Sequence, residues 1–480
     1  MFDSLIIDPL LIDPEVGSRI QFGGTLSVHI VFAALSVGLA PYIVYFTWKE
    51  VSTGEKKYKR LRSFWTKVFA IGFVMGTATG IPMSFQFGTN FPEFSEFAGE
   101  LIGGPLAFES TMAFFLEAVF LGILLFGRDR VSDRVYVLSS VLVMIGAWLS
   151  AFWILIVNSW MQTPQGYELV EDNGVAGVVL TDPLAAYFPP RLFWMYVHMQ
   201  NAAIISVTLL VAGVAAYFVW ANPESEPWRG TLKLSVGVLA ITSIFQVIHG
   251  DMYTRHVVQT QPMKFAAMEA LYETKEGAPL HLLAFPRNLA DITDPRAEDL
   301  FTISIPYLTS ILAEADPTGV VYGLEEFDVK NPPVAYVFWS FRTMVFLGFW
   351  FIALGLWSVY RIRKGGLYER SWHLKALMAS IPLGFVATIV GWYVTEIGRQ
   401  PWIIQDVQLT SEGVSQTLTS TQVTVSLTAF AIVYTILVVV FLHVMKWIID
   451  DELERVQRDE LERTASEKST ESTAGGSGEV

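Results

Sequence analysis

Long apolar stretches are the feature that most constrains how this chain can fold. Between residues 21 and 447 the sequence repeatedly offers runs of about 20 mostly apolar residues, the length that a helix needs to cross the hydrocarbon core of a membrane. Hydrophobic residues make up 52% of the 480 residues. Charged residues make up only 16%, against about 25% in soluble domains. The sequence therefore excludes a soluble globular enzyme and predicts an all-α polytopic membrane protein.

Charged residues that interrupt the apolar runs delimit nine predicted transmembrane helices. These are residues 21–47, 66–86, 105–126, 135–160, 191–220, 231–250, 334–360, 375–398 and 422–447. Lys and Arg concentrate in alternate connections and are absent from 87–104 and 161–190. Because positive residues favour the cytoplasmic side, the N-terminus is predicted outside and the C-terminus inside. The one long connection, 251–333, then lies outside.

Composition divides the chain into two predicted regions. Residues 1–450 would form a membrane domain with the 251–333 loop inserted, and QPMKFAAMEALYE within that loop has a weak helical pattern. Residues 451–480 are rich in charged and small residues, which predicts a cytoplasmic tail that starts as a helix and becomes disordered. The acidic N-terminus lacks the basic segment of a cleavable signal peptide. A net charge of −14 argues against nucleic acid as a partner.

The absence of cysteine limits the metal chemistry that this chain can support. Iron–sulfur clusters and thiolate zinc sites are excluded, so any metal needs His, Met or carboxylate ligands. Ionisable residues inside membrane spans are costly and indicate function. The candidates are His29, Glu109, Glu117, His198, Arg342, Glu396 and Arg399, with the thioether of Met344 near Arg342. A helical rise of about 1.5 Å per residue puts these residues in the outer halves of their spans, except Glu117, about 12 Å deeper than Glu109.

Each candidate also has an ordinary structural explanation. A membrane His or Met can simply pack, Glu396 and Arg399 can neutralise each other at i,i+3, and Glu109 can cap a helix that starts after Pro105. Their joint occurrence at one depth favours haem, because imidazole and thioether groups are the axial ligands of haem iron. Arg342 would then offset the charge of a haem propionate or of an anionic quinol.

Seven segments of the sequence resemble subunit I of the cytochrome bd family of quinol oxidases. They are RIQFGGTLSVHIVF (19–32), GIPMSFQFGTN (80–90), GPLAFESTMAFFLEAVFLGILLFGRDR (104–130), WILIVNSWMQTPQG (153–166), QPMKFAAMEA (261–270), FWSFRTM (338–344) and GWYVTEIGRQPW (391–402). The segments occur in the order that the family has them. The resemblance implies a terminal oxidase subunit that oxidises quinol at the outer face and reduces O₂ to water with protons from inside. Such an enzyme is electrogenic without pumping protons.

The resemblance also implies which residues bind the haems. His198 and Met344 would be the axial ligands of a low-spin haem b, with Arg342 beside it. His29 and Glu396 would each serve one of two high-spin haems, a haem b and a haem d, and the assignment between the two is open. The implied cofactors are two haem b and one haem d, with a third haem b in place of haem d as the alternative.

Further roles follow from the same resemblance. Glu109 would be a ligand or a proton donor at the high-spin pair, whereas Trp392 and Arg399 would contact the haems as an aromatic neighbour and a propionate partner. Lys264 and Glu269 match the quinol-binding residues of the family's long outer loop. As an i,i+5 pair they are also explained as surface charges.

Glu117 is interpreted from its depth rather than from a ligand motif. Because it lies deeper on the same helix as Glu109, we predict that it relays protons. The alternative is a carboxyl group that is hydrogen-bonded between helices.

The predicted partners are a second membrane subunit, quinol, O₂ and membrane lipid, in a prokaryotic cytoplasmic membrane. Small accessory subunits and the choice of ubiquinol or menaquinol are left open. Two other functions stay as alternatives: a haem b protein that oxidises quinol without reducing O₂, and a transporter coupled through its carboxylates. The transporter would leave the pairing of His198 with Met344 unexplained.

Overall fold

The computed structural model describes residues 11–172, 175–286, 300–330 and 332–475. Within these ranges nine helical segments are long and apolar enough to cross a membrane, and each contains or overlaps one predicted span, so the polytopic helical fold is confirmed. They are Pro14–Thr53, Lys56–Thr89, Gly99–Phe126, Asp133–Gln162, Pro183–Ala221, Glu226–Thr260, Val334–Arg363, Trp372–Ile397 and Ser420–Ala465. Most helices extend past the predicted spans because helical structure does not stop where the hydrocarbon ends.

The helices are numbered in chain order. They are α1 (Pro14–Thr53), α2 (Lys56–Thr89), α3 (Pro92–Phe97), α4 (Gly99–Phe108), α5 (Phe114–Phe126), α6 (Asp133–Gln162), α7 (Pro183–Tyr187), α8 (Pro190–Ala221), α9 (Glu226–Thr260), α10 (Pro262–Glu269), α11 (Leu308–Glu314), α12 (Val334–Arg363), α13 (Trp372–Ala379), α14 (Leu383–Ile397), α15 (Thr410–Gly413) and α16 (Ser420–Gly475). A π-helical turn, Glu109–Ala113, joins α4 to α5. The predicted helix in the long connection is α10.

Short antiparallel strand pairs occupy the connections at one end of the bundle. They are β1 (Tyr167–Asp172) with β2 (Val175–Leu180), β3 (Lys275–Glu276) with β6 (Val320–Val321), β4 (Leu280–Pro286) with β5 (Leu300–Ile305), and β7 (Trp402–Ile404) with β8 (Gln408–Leu409). We call this end, where the 251–333 connection lies, the loop end. The opposite end, where α1 meets α2, is the basic end.

Local sequence explains where several helices begin and end. The side chain of Asp13 accepts hydrogen bonds from the backbone N–H groups of Glu15 and Val16, and the side chain of Asp182 caps α7 in the same way. In both helices a proline occupies the first turn, where its missing N–H costs nothing. Gly54 ends α1 in the left-handed conformation, with a φ of 70°.

A stripe of glycines brings α2 into close contact with α1. A Cβ atom added to Gly72 would lie 2.7 Å from Cδ2 of Leu35, and one added to Gly80 would lie 2.9 Å from Cε1 of His29. Small residues allow the two backbones to approach closely. His29 therefore packs directly against the backbone of α2.

The spans differ in how deeply they are buried. The apolar windows of the first and fifth spans are 67% and 78% buried, whereas that of the last span is 6% buried. The bundle is thus organised around α1 and α8, and the membrane part of α16 lies at its edge. Beyond residue 450, α16 continues without a break, and Glu452 there accepts hydrogen bonds from Arg60 and Trp228 at 2.6 and 3.1 Å. The division of the chain at residue 450 stays a prediction.

Four helices form the group that positions the first candidate site. Helices α9 and α14 each pack against both α8 and α12. Residues of α8 and α12 can therefore face each other across the group, which is how helical bundles hold cofactors.

Candidate functional site

His198 and Met344 lie on the two opposed helices of this group, α8 and α12. Nδ1 of His198 is buried and has no hydrogen-bond partner in the described part of the chain. Glycines border both side chains: a Cβ at Gly250 would lie 3.3 Å from Cε1 of His198, and one at Gly391 would lie 3.2 Å from Sδ of Met344. The imidazole and the thioether are thus on separate helices, and the residue next to each of them is a glycine, which has no side chain.

This arrangement fits a haem better than a bare metal ion. Among the described residues, no group of three or more His, Asp or Glu side chains is gathered as a bare ion would require. One imidazole and one thioether, each on its own helix, are enough for an iron that brings four porphyrin nitrogens with it. The unpartnered imidazole nitrogen and the missing side chains at Gly250 and Gly391 agree with that group.

His29 offers a nitrogen ligand from α1. Its Nδ1 lies 3.0 Å from Oγ1 of Thr79, and that hydroxyl donates its own proton to the carbonyl oxygen of Met75 at 2.8 Å. Nδ1 of His29 is therefore assigned as the protonated donor, which leaves Nε2 as the acceptor. Fixing the tautomer through the other ring nitrogen is how proteins orient a metal-binding histidine.

Glu396 lies at the end of α14, where three side chains donate to it. Nη2 of Arg399 donates to Oε2 at 2.6 Å, so the i,i+3 ion pair considered as the ordinary structural explanation of these residues forms. Nδ2 of Asn158 donates to Oε1 at 2.8 Å, and Nε2 of Gln162 lies 3.5 Å from the same oxygen. Trp392, one turn earlier on α14, packs against apolar residues of α6 and α8. The carboxylate is held in one orientation by these contacts.

The π-helical turn sets the direction of the other two carboxylates. Glu109 begins this turn inside a continuous helical span, so it does not cap a helix start. In a regular α-helix, positions eight apart point about 80° away from each other. The extra residue of a π-turn reduces this angle to about 20°, so Glu109 and Glu117 point to nearly the same side.

Helix α6 provides the surface along which these carboxylates are arranged. Oγ of Ser150 donates to Oε1 of Glu109 at 2.8 Å. A Cβ at Gly146 would lie 2.9 Å from the backbone nitrogen of Glu117. Glu117 is 5% exposed, and its Oε1 has no hydrogen-bond partner among the residues that the structure describes. Because Asn158 contacts Glu396, the order along α6 from the basic end is Glu117, Glu109 and Glu396.

Glu269 belongs to a buried ion pair at the loop end. Nη2 of Arg342 donates to Oε2 of Glu269 at 2.5 Å, and both side chains are 4% exposed. Oγ1 of Thr309 lies 3.5 Å from the same oxygen, and Nε of Arg342 donates to the carbonyl oxygen of His281 at 2.6 Å. Burial raises the pKa of Glu269, although Arg342 and Thr309 act in the opposite direction. Burial also lowers the pKa of His281, whose Nδ1 lies 3.0 Å from the backbone oxygen of Glu269.

Lys264 lies in a different hydrogen-bond network from Glu269. Its Nζ donates to Oε1 of Gln162 at 2.5 Å and to Oε1 of Gln261 at 2.8 Å. Burial, together with the nearby Arg191 and Arg399, lowers the pKa of Lys264 well below its ordinary value. Residues five apart on a helix point about 140° away from each other. The two residues predicted to bind quinol are therefore not in direct contact with each other.

Several residues of these networks were not identified from the sequence, among them Gln162, Gln261, His281 and Arg191. Gln162 and Gln261 lie inside recognised segments, but an amide does not stand out as an ionisable residue does. His281 lies in the long connection, where no motif indicates it. Arg191 lies at the start of a predicted span, where a cation is usually explained by its reach to the membrane surface.

Comparisons with known proteins agree in what this chain is similar to. A family model described as cytochrome bd terminal oxidase subunit I matches residues 18–453. The cytochrome bd ubiquinol oxidase subunit 1 of Bacillus subtilis is 33% identical over 439 residues, which cover 89% of this chain and 92% of that protein. The cytochrome bd-II ubiquinol oxidase subunit 1 of Escherichia coli is 30% identical over 498 residues, with coverages of 89% and 95%. The solved structure of bd oxidase from Geobacillus thermodenitrificans has a TM-score of 0.82 at 32% identity, covering 93% of this chain and 99% of that one.

Proposed function

Because this chain belongs to the family of cytochrome bd terminal oxidase subunit I, we propose which of its residues bind the haems, oxidise quinol and deliver protons. The chain is a multi-pass membrane protein and a subunit of a quinol oxidase, the terminal oxidase of a respiratory chain. Family membership also implies haem cofactors and a second membrane subunit. The finer assignments below are proposals.

The proposed axial ligands of the low-spin haem b are His198 and Met344. The observation that carries this assignment is their location on opposed helices, with an unpartnered buried imidazole nitrogen and glycine next to each side chain. His29 and Glu396 are proposed for the two high-spin haems. Their fixed orientations, from Thr79 and from Asn158 with Arg399, support that role.

The proposed composition is two haem b and one haem d. When bound, these groups accept the electrons of quinol and supply them to O₂. Trp392 is proposed as an aromatic neighbour of the haems, and Arg399 as a partner for propionate. Glu109 is proposed as a ligand or a proton donor at the high-spin pair. The second membrane subunit completes the complex, in the cytoplasmic membrane of a prokaryote.

The proposed quinol site is at the loop end, which we place outside because Lys and Arg concentrate at the opposite end. Oxidation of a quinol releases two protons. Glu269 is proposed as the base that accepts one of them, and its raised pKa brings it closer to the range in which a general base works. Arg342 holds this carboxylate in place, and Lys264 is proposed as the second quinol-binding residue, on the other side of α10.

The protons consumed with O₂ are proposed to come from the inside, through Glu117 and Glu109. The order of these carboxylates along α6, from the basic end toward Glu396, supports the direction of transfer. Releasing protons outside and taking them up inside moves charge across the membrane. Each charge moved against a membrane potential of 100 mV stores about 2.3 kcal/mol of free energy. The enzyme is therefore electrogenic without a proton pump.

A redox difference spectrum of the purified complex tests the proposal most directly. We expect a low-spin b band together with a far-red chlorin band after reduction with dithionite, and a pyridine haemochrome assay consistent with two haem b and one haem d. If only b-type bands appear and quinol still drives O₂ uptake, the proposed composition changes to three haem b, with a haem b in place of haem d. Haem without O₂ uptake would leave a quinol-oxidising electron carrier, and a complex without haem would contradict the proposal.

Glu269→Gln is expected to lower quinol-driven O₂ uptake by about 10²–10⁴-fold, the usual contribution of a general base. In the native enzyme the rate should fall as the pH drops through the raised pKa of Glu269, because protonation removes the base. The charged or titratable groups that face this carboxylate are Arg342 of α12 and His281 of β4. The measurement is the pH profile of turnover with a soluble quinol.

Glu273→Gln is the matched control for this prediction. Glu273 is in the same connection, but its side chain is 58% exposed and forms a surface ion pair with Lys275. It should keep the native rate and pH profile. A Glu269→Gln enzyme with a native pH profile would show that another group takes the quinol proton.

A further inference from the structure

Three basic side chains, two arginines and a lysine, lie buried together at the loop end of the bundle. Arg191, Lys264 and Arg399 are 1%, 2% and 4% exposed. Arg191 and Arg399 both repel the charged form of Lys264, and Arg191 also repels Arg399. Glu396 is the anion that attracts Lys264 and Arg399 in these interactions. Buried like charges are strongly unfavourable unless they are paired. We call these three residues the cation cluster.

Hydrogen bonding in the cation cluster is also incomplete. Nε and Nη1 of Arg191 and Nη1 of Arg399 are buried without an acceptor in the described part of the chain. Arg399 uses its other nitrogens for Glu396 and for the carbonyl oxygen of Trp402. Because a buried donor without a partner costs about 1–3 kcal/mol, the cluster calls for a ligand that carries negative charge and several acceptor atoms.

The position of Arg191 indicates which anion this is. Its guanidinium carbon lies 5.1 Å from the centre of the Tyr253 ring, and that ring lies 5.7 Å from the ring of His198. Arg191 is thus separated from the proposed axial imidazole by one aromatic side chain. Arg191 also interacts electrostatically with Lys264 and Arg399.

We infer that Arg191 binds a propionate carboxylate of the low-spin haem, with Arg399 supplying further positive charge and Lys264 becoming charged once the anion is bound. This inference rests on the proposed function, since it needs a haem between His198 and Met344. Planar guanidinium groups bind carboxylates through two parallel hydrogen bonds, which matches the unpartnered Nε and Nη1 of Arg191. A neutral quinol has neither the charge to offset the two arginines nor enough acceptor atoms for their three unpartnered nitrogens.

The test is a set of variants of the complete oxidase complex. In Arg191→Gln we expect a lower midpoint potential of the low-spin haem, because removing a nearby positive charge favours the oxidised, more positive iron. We also expect a lower content of that haem and a shifted propionate bending band in its resonance Raman spectrum. Arg191→Lys, which keeps the charge, should restore most of the potential without restoring the Raman band.

Arg255→Gln is the matched control. Arg255 is on α9 at the same end of the bundle as Tyr253, but its side chain is 44% exposed and pairs with Asp251. Its removal should leave the potential and the Raman band unchanged. Equal values for Arg191→Gln, Arg255→Gln and the unaltered complex would overturn the inference.

The anion that neutralises the cation cluster could instead be taken from solution. In that case the midpoint potential of the unaltered complex would change with the phosphate or chloride concentration, and this result would also overturn the inference. We expect no such dependence. If the unaltered complex contains no low-spin haem, the proposed function itself fails, a result that the difference spectrum reveals before any variant is made.

Discussion

His198→Ala is expected to abolish the low-spin b band and, with it, quinol-driven O₂ uptake. The substitution removes one of the two proposed axial ligands and leaves the weaker thioether of Met344, so we expect the haem to be either lost or bound in a high-spin form. The bands of the high-spin haems should persist, because His29 and Glu396 are held by separate contacts on α1 and α14. The measurement is the redox difference spectrum of the purified variant, with haem quantified per complex.

Two other histidines make this experiment specific. His443, on α16, is exposed, so His443→Ala should keep the native spectrum. His249 is the sharper comparison, because its ring centre lies 5.8 Å from that of His198 and both of its nitrogens are buried without partners in the described residues. Loss of the low-spin band in His249→Ala, with the band retained in His198→Ala, would show that the neighbouring imidazole is the ligand.

The membrane fold was predictable because one physical requirement controls it. A helix that crosses hydrocarbon must be apolar for about 20 residues, and the charged connections then mark where each span ends. The nine spans were found for this reason. The bounds were less predictable: α1 begins at Pro14 because Asp13 caps it there, well before the apolar run that was predicted to start at residue 21.

Contacts between elements were only partly predictable from sequence. The i,i+3 pair of Glu396 and Arg399 lies on one stretch of chain, so its spacing was enough to raise it as a structural explanation of both residues. Glu269, in contrast, pairs with Arg342 from a helix that begins more than sixty residues later, and no local pattern encodes that contact. Lys264 and Glu269 looked like partners because they share a motif, although their spacing on a helix separates them.

The direction of Glu117 could not have been derived from its position in the sequence. Regular helical geometry would point it well away from Glu109, and only the π-helical turn between them aligns the two side chains. Nothing in ESTMA signals a π-turn. Depth alone was therefore the sequence argument for a proton relay, and the alignment along α6 now adds a geometric one.

Glu117→Ala is expected to slow turnover by about 10²-fold or more, the lower end of what a proton-transferring side chain contributes. It should perturb a high-spin haem and leave the low-spin band intact, because α5, which carries Glu117, packs against α2 and α6, whereas His198 and Met344 are on α8 and α12. Steady-state O₂ uptake and the difference spectrum of the same preparation measure both effects.

Glu117→Gln separates proton transfer from the alternative structural role of this carboxyl group. Glutamine preserves the size of the side chain and keeps one acceptor oxygen and one donor group, but it cannot release a proton, so a relay predicts slow turnover in a stably folded complex. A carboxyl group that only joins helices predicts near-native turnover in Glu117→Gln and a loss of thermal stability in Glu117→Ala. Glu100→Gln, which alters an exposed carboxylate on α4 of the same span, should match the unaltered enzyme. Because Oε1 of Glu117 is buried without a partner among the described residues, a purely structural hydrogen bond has little support, and we expect the glutamine variant to be slow.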